Sequence, residues 1–507
     1  MTLSKNRQSG LHRHLTSGQA QLCNTRSRMA TIKGIVFLTI FRIALVFCCS
    51  GIAGCSFYFF QETSSKGAAQ ISGVLRVHPT NPRYFTDDSG RAIYLSGHQM
   101  FFDLQDRKVA TYGGQIGIDW KWYLQFLTDR NLNYIRNWTT FTFTASPAGV
   151  DPLPYKRVDG YGYANDGGLK FDLNRFNPVF FDRMRSRAID LGNRGIIISY
   201  MLFDVYGFES MKSPGVGLNQ VFNEDNNING VDAKDLSFFF SPSPEVIRLQ
   251  KAYVDKVIDT VGDLDNVFFE VANEMGAISW QFEMINHIKT SRADSKKHLI
   301  LYSPAGLLVD GANYHSSSIN EAFTSGASVF SVAGDWADYV NDPPVNNSGM
   351  PAIIDIDHIF WRDYSVNENI QIPWKAFTRG YHYVLYDAPF EVPETETAEW
   401  DMKRRGAGAT VTYAKKVDLA NMEPSTVVSS TRFALAKPGS EYLIYAPGGG
   451  SFILDVQAGN YDYEWFNTRT AAIVSTGSIT TSGRSHSFTP PFDGDAVLYL
   501  RVQREWW

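Results

Sequence analysis

Two apolar stretches of this chain end in carboxylates, where a buried β-strand would usually end in an uncharged residue. One is the run 266–275 (Asn-Val-Phe-Phe-Glu-Val-Ala-Asn-Glu-Met), which ends near Glu274, and the other is the run 351–357, which ends near Asp355 and Asp357. Carboxyl groups at strand ends are candidates for a general acid, a general base or a nucleophile. The two stretches therefore indicate a site for acid–base chemistry.

The spacing of these carboxylates within their strands predicts different roles for them. Side chains alternate between the two faces of a strand, which places Glu270 and Glu274 on one face, with Glu270 about four residues, or ~13 Å, deeper. We expect Glu270 to be a buried structural carboxylate with a partner inside the fold. Glu274 would lie at the strand end beside Asn273, whose amide could bond a hydroxyl group of a substrate. By the same period, Asp355 and Asp357 share a face.

The elements that must position these residues alternate between strand and helix. The clearest amphipathic helix, Pro244–Val261, leads directly into the strand that carries Glu274. Eight strands are predicted, at 92–97, 134–138, 195–203, 266–275, 299–302, 328–332, 352–356 and 383–386. Eight alternating units predict a (β/α)8 TIM barrel with long loops after strands two and three. A doubly wound sheet is the alternative, but no Gly-rich phosphate loop follows any strand.

In such a barrel, strands four and seven lie across the mouth from one another, so a sugar could bind between their carboxylates. A glycosidase needs this pair, because one carboxyl protonates the leaving oxygen while the other attacks or activates water. The order of the predicted strands therefore favours hydrolysis of a glycosidic bond.

The pattern changes after the last predicted helix, near residues 402–422. Strands and turns then follow without helices, at 442–445, 452–456, 461–465 and 496–500. This alternation is typical of an antiparallel β-sandwich. We expect a catalytic barrel at 73–424 and an accessory sandwich at 425–507.

Composition and charge restrict the partners. The 507 residues include 25 Tyr, 11 Trp and 35 Phe and carry a formal net charge of -5. A nucleic-acid surface would need a basic stripe, so no nucleic-acid partner is expected. Aromatic rings suit a neutral polar ligand such as a sugar, although most of them are expected in the core.

The N-terminal segment predicts export. All four cysteines lie in the first 55 residues, so the rest of the chain can form no disulfide within itself. The apolar stretch 35–47 follows several basic residues, as in a secretory signal. Ile-Ala-Gly-Cys at 52–55 resembles the bacterial lipobox, which predicts lipidation of Cys55.

Two kinds of membrane attachment stay open for this segment. Residues 1–55 would be either a lipoprotein leader or part of a single-pass anchor over about 34–60, with 56–72 as a tether. We expect an outer-membrane or cell-surface lipoprotein, with a periplasmic or secreted protein as the alternative.

Several ordered motifs resemble one group of enzymes. Phe-Phe-Glu-Val-Ala-Asn-Glu at 268–274 resembles the acid/base motif of the family-five-like glycoside hydrolases, a clan of (β/α)8 barrels. The resemblance narrows to the apiosidase-like bacterial hydrolases, whose trailing sandwich is identified as collagen-binding. It rests on Leu-Arg-Val-His at 75–78, Asn-Pro-Arg-Tyr-Phe-Thr-Asp at 81–87, Tyr-Leu-Ser-Gly at 94–97, Asp-Ile-Asp-His at 355–358, Trp-Lys-Ala-Phe-Thr-Arg-Gly at 374–380, Tyr-Leu-Ile-Tyr at 442–445 and Trp-Phe-Asn-Thr-Arg-Thr at 465–470. It spans about residues 73–507.

This resemblance implies roles for five residues. Glu274 would be the general acid or acid/base, and Arg136 would match the arginine that holds the nucleophile ionised. The clan has a nucleophilic Glu on strand seven, where this chain has Asp355 and Asp357; we expect Asp355 to act, with Asp357 as the alternative. His358 would orient either one. Because Asp is one methylene shorter than Glu, both retention (~5 to 5.5 Å between carboxyls) and inversion (~6.5 to 9.5 Å) stay open.

The remaining polar and aromatic residues near predicted strand ends are expected to line the sugar subsite. These residues are His98, His315, Trp336 and Tyr386. The spacing of Asp355, Asp357 and His358 could suit a metal, but a hard ion needs more oxygen ligands, so neither a metal nor a cofactor is expected.

Together, these features predict an exported glycoside hydrolase that acts on an oligo- or polysaccharide of plant or microbial origin. A non-catalytic glycan-binding surface protein is the alternative, because strand seven departs from Glu. For the sandwich, packing against the barrel is expected rather than protein binding.

Overall fold

The structure is a computed structural model. It describes residues 71–100, 104–107, 117–145, 148–204, 208, 216–273, 275–291, 297–304, 317–332, 339, 341–355, 366–387 and 397–503. Among these residues, no helix is long and apolar enough to cross a membrane. The predicted leader at 1–55 and the alternative anchor at 34–60 lie outside the described residues.

Eight parallel strands form a closed barrel in which each strand pairs with the next and the last pairs with the first. They are β1 (Ser96–Met100), β2 (Tyr134–Asn137), β3 (Ile197–Phe203), β4 (Val267–Ala272), β5 (Ile300–Tyr302), β6 (Val329–Val332), β7 (Ala352–Asp355) and β8 (His382–Tyr386). The predicted (β/α)8 barrel is confirmed.

Helices surround the barrel. They are α1 (Trp120–Asp129), α2 (Pro178–Gly192), α3 (Ser237–Phe240), α4 (Pro244–Val261), α5 (Ile278–Thr290), α6 (Ser317–Ser325), α7 (Val366–Thr378) and α8 (Ala398–Lys416). The start of α4 follows directly from the sequence: Ser243 accepts a hydrogen bond from the Val246 amide, and Pro244 needs no partner in the first turn.

The barrel interior is apolar at its lower end. Phe85 enters from a short antiparallel pair, Arg76–Val77 with Phe85–Thr86, and packs against His382 and Phe268. His382 accepts a hydrogen bond from the Leu95 amide, and burial lowers the pKa of its ring to about 3. This layer closes the lower end and leaves the upper end for polar residues.

The first barrel strand begins later than the sequence predicts. The predicted strand at 92–97 is replaced by β1, which starts at Ser96, because Ile93 instead forms an isolated antiparallel bridge with Phe85. The short antiparallel pair Arg76–Val77 with Phe85–Thr86 therefore extends its pairing into the first half of the expected strand.

The long loops after β2 and β3, residues 138–177 and 204–243, support each other at the mouth of the barrel. In the first loop, Ala148–Asp151 pairs antiparallel with Thr144–Ala145 and with Asp106–Arg107. A second antiparallel pair in this loop joins Tyr155–Arg157 to Phe171–Phe176. The second contains the 3-10 turn Val216–Asn219 and α3. Backbone hydrogen bonds join the two loops, from Phe143 to Asn219 and from Phe171 to Asn226.

An antiparallel domain of two sheets follows the short turn Leu419–Asn421. Its strands are β9 (Glu423–Ser425), β10 (Ala434–Lys437), β11 (Glu441–Ala446), β12 (Phe452–Asp455), β13 (Gly459–Asn467), β14 (Ala472–Thr481), β15 (Ser485–Phe488) and β16 (Ala496–Val502). Six strands form one sheet in the order β9-β10-β11-β16-β13-β14, and β12 pairs with β15. This domain is the predicted sandwich.

The larger sheet of the sandwich packs on the barrel through an aromatic core. Trp374 of α7 is fully buried between Tyr413 of α8 and the sheet residues Tyr445 and Phe466, with ring centroids 5.5 to 6.1 Å apart. The expected packing of the sandwich against the barrel is observed. The two domains therefore share one apolar core.

We predict that Trp374→Ala lowers the free energy of unfolding by about 3–5 kcal/mol, because it leaves a large cavity in this shared core. Chemical denaturation should show one transition for both domains at a lower midpoint. Val427→Ala, at a side chain that is 84% exposed, is the control and should change stability by less than about 0.5 kcal/mol. An unchanged midpoint for Trp374→Ala would contradict the shared core.

Candidate active site

Arg136 occupies the centre of the barrel mouth. It lies on β2, points into the barrel and is fully buried. Its Nε and one terminal nitrogen donate to the two oxygens of Glu270 at 2.9 and 2.5 Å. Its other terminal nitrogen donates to Gln99 Oε1 at 2.8 Å and lies 3.0 Å from Asp355 Oδ2. One guanidinium thus joins β1, β2, β4 and β7.

Glu270 is a buried carboxylate held by Arg136 in a two-pronged pair. This confirms the expectation that it has a structural partner inside the barrel. A buried carboxylate is costly without a partner, and a planar guanidinium that bonds both oxygens offsets that cost. Glu270 therefore orients Arg136 rather than facing a substrate.

Asp355 is the last residue of β7 and is 3% exposed. Period two along β7 turns Ile353 into the lower apolar layer and Asp355 into the mouth, where the contact with Arg136 fixes one oxygen. The structure thus brings two sequence-predicted residues, Arg136 and Asp355, into direct contact. The guanidinium stabilises the negative charge of the carboxylate.

Asn273 follows β4 directly and completes the arginine network. Its Oδ1 accepts from Arg136 at 2.7 Å, while its Nδ2 has no hydrogen-bond partner among the described residues. The amide of Asn273 is therefore oriented by the arginine, and its nitrogen keeps a free donor in the site. A sugar hydroxyl could accept from it.

Sequence reasoning missed two polar residues at the mouth. Gln99 on β1 bonds Arg136 and has an Nε2 with no acceptor in the described part of the chain; the predicted first strand ended before it. Asp204 follows β3 directly, is 6% exposed and accepts from Thr140 Oγ1 at 3.4 Å. The rule that identified Glu274, a carboxylate after an apolar strand, would also have identified Asp204.

Two tyrosines lie at different heights in the barrel interior, Tyr386 at the upper end and Tyr134 lower down. Tyr386 is the last residue of β8, in register with Gln99, and therefore lies at the carboxyl end of the barrel. Tyr134 lies one level below Arg136 and hydrogen bonds with Ser199 at 2.7 Å. Burial raises the pKa of Tyr134 above its usual range, and the nearby Glu270 carboxylate adds to this effect, so the phenol stays neutral.

The structure corrects the expectation that His98 lines the sugar subsite. Neighbours on a strand alternate in direction, and His98 points outward to the helices while Gln99 points inward. Its Nδ1 hydrogen bonds with Tyr123 of α1 at 2.8 Å and its Nε2 with Asp387 at 3.1 Å. Arg404 of α8 also donates to Asp387 at 2.5 and 2.7 Å. His98 therefore joins the barrel to its helices.

The remaining predicted site residues lie outside the described residues. They are Glu274, Asp357, His358, His315, Trp336 and the lipidation site Cys55. Within the described part of the chain, no three potential metal-ligating side chains come together.

No protein-family profile matches the chain, and no curated protein matches it. Solved structures with a similar fold include a glycoside hydrolase that covers 85% of this chain and 97% of its own, with 13% identity and a TM-score of 0.54. A family 5 glycoside hydrolase from Bacteroides vulgatus covers 86% and 95%, with 13% identity and a TM-score of 0.53. Another Bacteroides vulgatus structure has 14% identity, a TM-score of 0.57 and coverage of 85% and 82%. At this level of identity, the similarity to these structures is a similarity of fold.

We predict that Arg136→Met lowers the free energy of unfolding by about 3–5 kcal/mol, because it leaves Glu270 and Asp355 buried without their shared cation. Arg76→Met, which removes an exposed pair with Asp88, is the control and should cost less than about 1 kcal/mol. Urea denaturation measures both. Equal effects of the two substitutions on the free energy of unfolding would contradict the stabilising role of Arg136.

We predict that the wild-type protein loses stability as the pH falls below about 6.5. Burial lowers the pKa of His98 below its usual value despite Asp387, so the unfolded chain takes up the proton first and folding weakens on acidification. The slope from one such histidine is at most about 1.4 kcal/mol per pH unit. His98→Gln should reduce the slope between pH 5 and 6.5 in denaturation curves, and His382 should maintain the rest. An unchanged slope would contradict the assignment.

Proposed function

We propose that this chain is a glycoside hydrolase that cleaves O-glycosidic bonds of a plant or microbial glycan with two carboxylates at the barrel mouth. One observation carries the proposal: Arg136 contacts both Asp355 at the end of β7 and Asn273 at the end of β4. The likeness of fold to solved glycoside hydrolases supports it.

In this proposal, Asp355 is the carboxylate that faces the anomeric carbon. Its contact with Arg136 maintains the negative charge that either attack or activation of water requires. The distance between its carboxyl and that of the acid decides between the two, since ~5 to 5.5 Å gives retention and ~6.5 to 9.5 Å gives inversion. Asp357 is the alternative second carboxylate.

Glu274 is proposed as the general acid that protonates the leaving oxygen. It follows Asn273 in the sequence, and Asn273 is fixed at the mouth by Arg136. The free Nδ2 of Asn273 would donate to a sugar hydroxyl and so place the glycosidic oxygen next to the acid. Gln99 and Tyr386, which share a register across β1 and β8, would contact the same sugar.

We extend the proposal to the narrower features that the sequence predicts. The ordered motifs support an apiosidase-like hydrolase, and the lipobox-like sequence supports export with lipidation at Cys55 and attachment to the outer membrane. His358, His315 and Trp336 would line the sugar subsite. For the sandwich we propose a packing role, supported by the Trp374 core.

We predict that Glu274→Gln and Asp355→Asn each lower kcat by at least about 100-fold, because each removes a carboxyl that moves a proton or attacks. A panel of aryl glycosides and plant polysaccharides measures this. Asp357→Asn should have a much smaller effect, and Glu245→Gln, which changes an exposed carboxylate paired with Arg248, should have none.

Two results would contradict this proposal. Full activity of Glu274→Gln would remove the general acid from the mechanism. Inactivity of the folded wild-type protein on the whole panel would favour the alternative, a glycan-binding protein on the same barrel, which the Asp in place of Glu on strand seven keeps open.

A further inference from the structure

We propose that the hairpin after β2 forms a second glycan-binding surface, separate from the catalytic mouth, for a sugar chain that carries carboxylates. The surface consists of Tyr161, Tyr163, Lys156 and Arg175. The inference rests on the proposed function, since it concerns how a polymeric substrate of the same enzyme is held.

The hairpin belongs to the mouth end of the barrel. It lies in the loop that leaves the carboxyl end of β2, the end at which parallel barrel strands carry their sites. Its two strands are Tyr155–Arg157 and Phe171–Phe176, and their inner side chains, Tyr155 and Phe171, are buried against aromatic residues of the two long loops. A glycan bound at this hairpin would extend outward from the mouth.

The tip of the hairpin is held firmly. The side-chain Nδ2 of Asn165 donates to the Leu218 carbonyl at 2.7 Å, and the backbone N–H of Asn165 donates to Asn226 Oδ1 at 2.9 Å. Leu218 and Asn226 both belong to the loop after β3. Arg157 pairs with Asp166 through both terminal nitrogens. Such anchoring lowers the conformational entropy that a ligand must otherwise remove on binding.

Two aromatic rings on this tip face solvent. Tyr161 is 61% exposed and Tyr163 is 71% exposed, whereas most of the aromatic side chains that the structure describes lie in the core. Gly160 and Gly162 flank Tyr161 with φ of 88° and 86°, a backbone conformation that turns the chain sharply and presents the rings outward. Exposed rings on an ordered loop offer flat faces for the C–H face of a sugar.

The chemistry beside Tyr161 favours an acidic sugar. Tyr161, Lys156 and Arg175 line a cavity of about 340 Å³ on the outer face of the hairpin. Neither cation forms a hydrogen bond or ion pair with any of the residues that the structure describes. The two acids of the cavity have local donors, since Asp159 accepts from the Gly160 amide and Asp172 accepts from the Asn174 amide and from Asn229. Two cations next to an aromatic ring complement a sugar carboxylate.

The test is binding of the full chain to polygalacturonate and to the same polymer fully methyl-esterified, which removes the charge and keeps the backbone. We expect wild type to bind the acid form more tightly, with an affinity that falls as salt rises. Tyr161→Ala should weaken this binding about tenfold, and Lys156→Gln with Arg175→Gln should weaken it about tenfold and remove the salt dependence.

Matched controls are Phe323→Ala, at an exposed ring on α6, and Lys121→Gln, at an exposed cation on α1; neither should change binding. Equal binding by wild type and all variants would overturn the proposal. Equal loss on both polymers, with no effect of the charge substitutions, would overturn the acidic specificity. Self-association of wild type that Tyr161→Ala abolishes would instead assign the surface to contact between copies.

Binding and turnover are measured separately, so the two proposals fail separately. A wild-type protein that hydrolyses nothing but binds the acid polymer through Tyr161 contradicts the proposed function and supports this surface. A wild-type protein that hydrolyses glycans but shows no role for Tyr161, Lys156 or Arg175 in binding contradicts only the surface.

Discussion

A single buried guanidinium organises the mouth of this barrel. Removing a charge from water costs several kcal/mol even after relaxation. The oxygens of Glu270, Gln99, Asn273 and Asp355 offset this cost for Arg136. The buried carboxylates of Glu270 and Asp355 carry the same desolvation cost, and both contact this guanidinium. The relative positions of strands one, two, four and seven at their carboxyl ends therefore depend on this network.

The rest of the molecule surrounds and supports this network. Apolar side chains and the His382 ring fill the lower barrel, and Phe85 closes that end, while the arginine network occupies the upper end. Outside the strands, His98, Asp387 and Arg404 join the first and last strands to α8. The sandwich adds stability through Trp374 but contributes no described residue to the arginine network. Backbone hydrogen bonds join the loops after β2 and β3, and the loop after β2 carries the exposed Tyr161 and Tyr163.

The sequence predicted well where hydrophobic period and turn chemistry agree. It predicted Pro244–Val261 to the residue, the barrel, and the structural role of Glu270. It failed where long-range contacts decide: Ile93 pairs with Phe85 instead of joining β1, so Gln99 was missed, and His98 was assigned to the wrong face. The edge strand Ala472–Thr481 was missed because it is largely exposed and rich in Ser, Thr and Gly, which leaves no apolar alternation. The pairing of side chains from different strands, such as Arg136 with Asp355, was predicted only from the resemblance to known glycoside hydrolases.

We propose that Arg136 separates two carboxylates by role, with Glu270 as its structural partner and Asp355 as the reacting group. Chemical rescue by azide tests this most directly, because a small anion can replace a missing carboxylate only where that group faces the anomeric carbon. Activity on an aryl glycoside with a good leaving group would be measured with and without azide in Asp355→Gly and Glu270→Gly. We predict that azide restores turnover and forms a glycosyl azide in Asp355→Gly and has no effect in Glu270→Gly. Rescue of Glu270→Gly, or of Asp357→Gly but not Asp355→Gly, would contradict the account.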